Sequence, residues 1–241
     1  MEPIRAAPRL CAIHQPNFFP WLGYFDKIRR ADVLVFLDAV DYPRPGSDGM
    51  GSIVNRVKIE VQGREYAVGA PLQRAPLGTP INAILIDDSQ PWRDKFLRTL
   101  AMNYARAANF KPAMALIEPL IHHAEPRLAA FNIHAITTIA RHLGLGARLV
   151  RQSELAVQGA ATALLIEITK AAGCRAYLAG GGAGGYQEDT LFADAGIDLV
   201  YQNFKPEPYG PIDRFVPGLS VIDYLMHDGR RLNVETDKGA L

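Results

Sequence analysis

The residues best suited to chemistry lie near the start of the chain, where a short apolar run stops at His14-Gln15-Pro16. An imidazole titrates near neutral pH, so His14 can give or take a proton or face an anion as a cation. The alternative is a structural His whose ring bonds a backbone carbonyl and shapes the turn. The Gln15 amide can contact a ligand or cap the same turn.

A helix is predicted to begin near Pro20 and to carry Trp21, Gly23, Tyr24 and Lys27 in its first turns. The start of a helix offers free N–H groups and positive potential, which favour a phosphate or a carboxylate. Gly23 indicates that a ligand or a neighbouring strand approaches the backbone closely. The two aromatic rings can stack on a ligand or pack in the core, and Lys27 can reach a phosphate or lie in solvent.

Carboxylates and cations follow the second apolar run. Asp38 and Asp41 flank its end, where they can orient an acceptor group or start Asx-turns. Asn55, Arg56 and Lys58 come after a loop rich in Gly and Pro. Since side chains alternate along a strand, Arg56 and Lys58 share a face that suits phosphate or carboxylate binding, or else simply faces solvent.

A second group of candidate binding residues is predicted near the end of the chain, in and after a loop of glycines. Its glycines are Gly180, Gly181 and Gly182, and the lesser candidates that would line the same end of the sheet are Tyr186, Gln202, Tyr209 and Asp223. The glycine loop can form an anion-binding nest or a plain turn. It matches the G-x-G-x-x-G dinucleotide pattern trivially, since nearly every position is glycine, and the acidic residue expected about 20 positions later is missing. No spacing of His, Cys, Asp or Glu indicates a metal site.

The elements that must position these residues alternate between strands and helices at both ends of the chain. This alternation predicts an α/β fold with a mostly parallel sheet and helices on both faces. We expect an α/β part at 1–90, a helical insertion or lid at 91–147, and a second α/β part at 148–241 that completes the same domain. A hairpin is predicted around Gln62-Gly63, and a short strand at 81–86.

The composition limits the kinds of molecule that the protein is expected to bind and the compartment in which it is expected to work. The 241 residues carry a net charge of +1 with no basic block, so nucleic acid is not an expected partner. No apolar run approaches the roughly 18 residues of a membrane span. Cys11 and Cys174 show no paired spacing and are expected to be reduced core residues. These features predict a cytoplasmic protein, and the candidate binding residues above predict that it acts on a small molecule bearing phosphate or carboxylate.

The segment from His14 to Ile28 is similar to the HQP-x-x-x-PW-x-GYF-x-KI signature of the WbqC-like family. Asn55-Arg56 and later elements also resemble that family, whose members are often associated with O-antigen and other surface-polysaccharide or specialised-metabolite gene sets. Two loops differ: Val40–Arg44 replaces a VQF-like element with a Lys, and Ala179-Gly180 replaces Ser-Gly.

The succession of strand, His-containing turn, helix and strand also resembles the start of nucleotidylyltransferase folds, although Gly23-Tyr24 stands where a Gly-His is usual. These resemblances imply a transferase or ligase that modifies a small sugar or amino-compound intermediate by acyl or nucleotidyl transfer. The cofactor is left open, with a nucleoside triphosphate (ATP or CTP) and acyl-CoA as the candidates. A non-catalytic nucleotide-sugar-binding or scaffold protein is the alternative, and hydrolysis based on His14 is a third hypothesis.

Overall fold

The structure is a computed structural model that describes residues 9–43, 52–180, 188–211 and 215–232. The chain forms two compact units. Unit 1 comprises Met1–His14, Asp26–Leu37 and Gly146–Phe204, and unit 2 comprises Gln15–Phe25, Asp38–Leu145 and Lys205–Leu241.

The described strands and helices are numbered in chain order. The strands are β1 (Leu10–His14), β2 (Val33–Phe36), β3 (Arg56–Val61), β4 (Arg64–Gly69), β5 (Arg148–Arg151), β6 (Ala176–Ala179) and β7 (Asp198–Tyr201). The α-helices are α1 (Leu22–Arg30), α2 (Trp92–Tyr104), α3 (Phe110–Ile121), α4 (Leu128–His142), α5 (Ala161–Ala171), α6 (Asp189–Asp194) and α7 (Val221–His227).

Unit 1 is built on a five-stranded sheet in the order β5-β2-β1-β6-β7, and every pairing in it is parallel. β2 and β6 are buried along their whole length, as expected for inner strands of a sheet that is covered on both faces. The predicted α/β fold with a mostly parallel sheet is therefore confirmed.

Unit 2 contains the antiparallel hairpin of β3 and β4 together with helices α2, α3, α4 and α7. Gln62 and Gly63 both have positive φ, which matches the tight turn predicted at this point. The core of the unit is aromatic, and Phe18 lies at its centre. The Phe18 ring packs edge-on against Phe96 at 5.7 Å and stacks on Phe131 at 6.1 Å.

The prediction of a strand at 81–86 is wrong. Ile81–Ala83 forms a single turn of 3-10 helix, and only isolated bridges follow at Leu85 and Ile86. Ile81, Ile84 and Ile86 are buried and Leu85 is exposed, but the backbone of the segment bonds to loops: the Ile86 N–H donates to the Pro126 carbonyl at 2.8 Å. Alternating burial therefore arose here without a neighbouring strand.

Neither cysteine is in a disulfide, and both are buried. Among the residues that the structure describes, no helix has the length and apolar character needed to cross a membrane.

Candidate functional site

The order of the strands in unit 1 singles out one position at the carboxyl end of its sheet, between β1 and β6. From β1 the chain builds outward through β2 to β5, and it then crosses to the other side of β1 to add β6 and β7. The direction of winding therefore reverses between β1 and β6. In open α/β sheets, ligands bind beyond the carboxyl ends of the strands at such a switch point.

Lys27 places a buried ammonium group at this switch point. Its side chain comes from α1, is only 5% exposed, and ends beside the residue that follows β6. A Cβ atom added to Gly180 would lie 3.3 Å from Lys27 Nζ, so the glycine leaves room for the ammonium. Burial lowers the pKa of Lys27 to about 8, because the charged form is poorly solvated there.

Contacts within unit 1 hold this part of α1 against the far strand of the sheet. Gln202 follows β7, and its side-chain amide donates to Asp26 Oδ2 at 3.0 Å. Arg30 donates to the Gln202 backbone carbonyl at 2.6 Å, and Arg29 pairs with Asp26 at 2.8 Å. Gln202 thus fixes the helix that carries Lys27. Sequence reasoning missed Asp26, although an acid beside two arginines on a helix was a visible signal.

His14 ends β1 on the other side of the switch point. Its backbone carbonyl accepts from the Leu37 N–H at 2.8 Å, which holds β1 and β2 in register up to their ends. β1 and β6 are aligned with Ala12 opposite Leu178. Continuing this register places His14 level with Gly180, about 4.8 Å away across neighbouring strands. Both residues therefore lie at the same edge, while the catalytic role of His14 stays a prediction.

The residues from Gln15 to Tyr24 belong to unit 2 and have local packing roles there. Tyr24 is buried, and its hydroxyl donates to the Gln15 backbone carbonyl at 3.1 Å. A Cβ atom on Gly23 would lie 2.3 Å from the Trp21 ring. The close approach expected at Gly23 is therefore made by the neighbouring indole. Ligand binding by these four residues stays a prediction.

The acidic and amide candidates of unit 2 surround the loop after β2. Asp38 is buried, whereas Asp41 is exposed and forms an isolated bridge with Pro80. Asn55 is buried and links two segments, because it accepts from the Tyr42 hydroxyl at 2.7 Å and donates to the Ala70 carbonyl at 2.9 Å. Asn55 therefore has a structural role, whatever it contributes to a ligand.

Arg56 and Lys58 lie on one face of β3, as the alternation predicted. Arg56 is exposed, and Lys58 forms a 2.6 Å ion pair with Glu65 on the partner strand β4. The charge of Lys58 is therefore already compensated.

The predicted residues Gly181, Gly182 and Tyr186 fall outside the described residues. Tyr209 lies in unit 2, where its ring packs edge-on against Phe215 and Tyr224, each at 5.1 Å. Burial and the neighbouring Asp223 carboxylate raise the pKa of its hydroxyl.

The fold and the residues at the carboxyl end of the unit 1 sheet define the class of protein. It is an α/β protein whose parallel sheet has a buried lysine at the point where the strand order reverses. The chain belongs to the WbqC-like protein family, whose model matches residues 15–233. It is also 26% identical over 226 residues to the uncharacterized protein Rv1507c of Mycobacterium tuberculosis, covering 90% of this chain and 93% of that protein. No solved structure is significantly similar to the chain.

Proposed function

We propose that this protein is a transferase or ligase that modifies a small sugar or amino-compound intermediate by acyl or nucleotidyl transfer. The reaction would serve the biosynthesis of a polysaccharide or a specialised metabolite. The substrate, or the nucleotide or acyl-CoA that activates it, carries a phosphate or carboxylate that binds between the carboxyl ends of β1 and β6. The buried ammonium of Lys27 is the observation that carries this proposal.

A buried charge is normally paired, because an isolated ion loses its hydration without compensation. With a pKa of about 8, Lys27 is still mostly protonated at pH 7. Among the described residues, no carboxylate forms an ion pair with it. A phosphate or carboxylate from a ligand would supply the missing negative charge. Gly180 supports the same role, since any larger residue there would crowd the ammonium.

His14 would act on the acceptor group at the same edge. In the transfer step, the acceptor nitrogen or oxygen forms a bond to the acyl carbon or to the phosphorus. The bond to the leaving group breaks, with CoA, nucleotide or pyrophosphate departing with the bonding electrons. Neutral His14 takes the proton that the acceptor loses. Lys27 stabilises the negative charge on the transferred or departing group.

Ligand binding can be tested by thermal shift with ATP, CTP, a UDP-sugar and acetyl-CoA. Lys27→Met removes the buried charge, and Lys58→Met is the matched control because its ammonium is already paired with Glu65. A ligand at 100 times its Kd stabilises the native state by about 2.7 kcal/mol. We expect this shift in the wild type and in Lys58→Met, and its loss in Lys27→Met. A shift that survives in Lys27→Met would refute the binding role of Lys27.

Catalysis is tested separately, by mass spectrometry of the bound ligand incubated with amino-sugar and amino-acid acceptors. We expect His14→Ala to bind the ligand with unchanged affinity but to form no product. A wild-type protein that binds a nucleotide-sugar and turns over no acceptor would instead support the non-catalytic binding protein. His14→Ala with full activity would exclude the histidine from the reaction.

A further inference from the structure

Unit 2 contains a cluster of three side chains beside a cavity of about 880 Å³. Glu60 comes from β3, and Asp223 and His227 come from α7. One oxygen or nitrogen atom from each of the three lies within 4.8 Å of the others. Asp223 and His227 are four residues apart, so they lie on the same side of their helix. Their nearest atoms, Asp223 Oδ1 and His227 Nε2, are 4.0 Å apart.

A buried tyrosine fixes the geometry of this cluster. The Tyr104 hydroxyl donates to Asp223 Oδ1 at 2.8 Å and accepts from the Glu60 backbone N–H at 3.0 Å. Its ring also packs edge-on against His227 at 5.8 Å. Tyr104 therefore contacts the side chains of Asp223 and His227 and the backbone of Glu60. Outer contacts of this kind are what orient the ligands in metal sites.

The negative charges of the two carboxylates in the cluster favour binding of a cation. Asp223 is only 5% exposed, and a second carboxylate, Glu60, lies next to it. Within the described part of the chain, neither carboxylate forms an ion pair with a lysine or an arginine, and His227 is the only basic partner. Two adjacent carboxylates repel one another when both are ionised, and a bound cation removes that repulsion.

We propose that Glu60, Asp223 and His227 form a binding site for a divalent transition metal such as Zn²⁺. The imidazole favours Zn²⁺, Co²⁺ or Fe²⁺ over Mg²⁺ and Ca²⁺, which prefer oxygen ligands alone. Ligand atoms about 2.0–2.2 Å from zinc are separated by about 3–4 Å, so the three side chains need only small inward shifts.

The cavity would supply the remaining coordination positions. Glu60, Asp223 and His227 all line it, together with Asn103, Arg106 and Tyr209. Three protein ligands with an open position are the arrangement of catalytic rather than structural zinc sites. Arg106 on the cavity wall adds a positive charge for an anionic molecule bound at the metal. The site lies wholly in unit 2, so it stands or falls independently of the role of Lys27.

The test uses the full chain without a polyhistidine tag, stripped of metal by chelator and titrated with Co²⁺ and Zn²⁺. We expect one equivalent of Co²⁺ to bind and to show the visible absorption bands of a Co²⁺ ion with a low coordination number. Zn²⁺ should displace it. Glu60→Gln, Asp223→Asn and His227→Gln should each weaken binding at least tenfold. Glu60→Gln is informative even where the buried substitutions disturb folding, because Glu60 is only partly buried on the hairpin.

His134→Gln is the matched control, since His123 and His134 stack at 3.9 Å in unit 2 and are the competing imidazole site. This variant should bind Co²⁺ like the wild type. Loss of binding in His134→Gln, with the three cluster variants unaffected, would overturn the proposal. The absence of stoichiometric Co²⁺ and Zn²⁺ binding by the wild type would also overturn it.

Discussion

Lys27→Met replaces a buried ammonium by an uncharged side chain of similar length, and we expect it to stabilise the protein at neutral pH. In the native state, burial lowers the pKa of Lys27 from an ordinary value of 10.5 to about 8. A difference of about 2.5 units corresponds to about 3 kcal/mol between the charged and neutral forms. Lys27 is only 5% exposed, so solvent screens this cost little.

The sign of the effect follows from proton binding in the two states. Below pH 8 the lysine is protonated in both states, and the native state bears the full cost of the buried charge. Between about pH 8 and 10.5 the unfolded chain binds more protons than the native protein, so wild-type stability rises with pH. Above that window both states are neutral at this position, and the cost has disappeared.

Urea unfolding of the wild type and of Lys27→Met, measured from pH 7 to pH 11, tests this reasoning. We expect the variant to be more stable by up to about 3 kcal/mol at pH 7, with the difference shrinking towards zero above pH 10.5. Lys58→Met, which removes an exposed paired lysine, should show no such trend. The inference that burying the charge costs stability would be refuted by a Lys27→Met variant that is less stable at pH 7. It would also be refuted if the difference in the free energy of unfolding did not depend on pH.

Three further substitutions test packing within the units, one in unit 1 and two in unit 2. Gly180→Ala adds a methyl 3.3 Å from Lys27 Nζ, so it should weaken nucleotide or acyl-CoA affinity roughly tenfold by calorimetry while leaving Tm nearly unchanged. Gly23→Ala puts a methyl 2.3 Å from the Trp21 ring and should cost about 1–3 kcal/mol in urea unfolding; a neutral result would show that the indole moves freely. Asn132→Ala removes a buried amide that donates to two backbone carbonyls, and should cost about 2–4 kcal/mol by the same measurement, with a smaller loss indicating that water replaces it.

Much of unit 1 could be predicted because its signals are local. The apolar runs that end at His14 and Asp38 mark strands, and Pro20 marks the start of the helix between them. Gln62-Gly63 predicted the hairpin for the same reason, since a two-residue turn with positive φ needs such residues. The prediction of a strand at 81–86 failed because loops on either side of the segment bury its isoleucines. The local sequence pattern cannot distinguish such burial from that of a strand.

The sequence by itself determined the α/β class, the positions of most elements and the segment that carries His14 and Lys27. Only the tertiary structure decided that β6 lies next to β1, which brings Gly180 to Lys27 and makes that lysine a buried cation. It also decided that Glu60 meets Asp223 and His227 in unit 2. Strand order and long-range contacts depend on which apolar faces bury one another, and residues far apart in the chain carry no local sign of that choice.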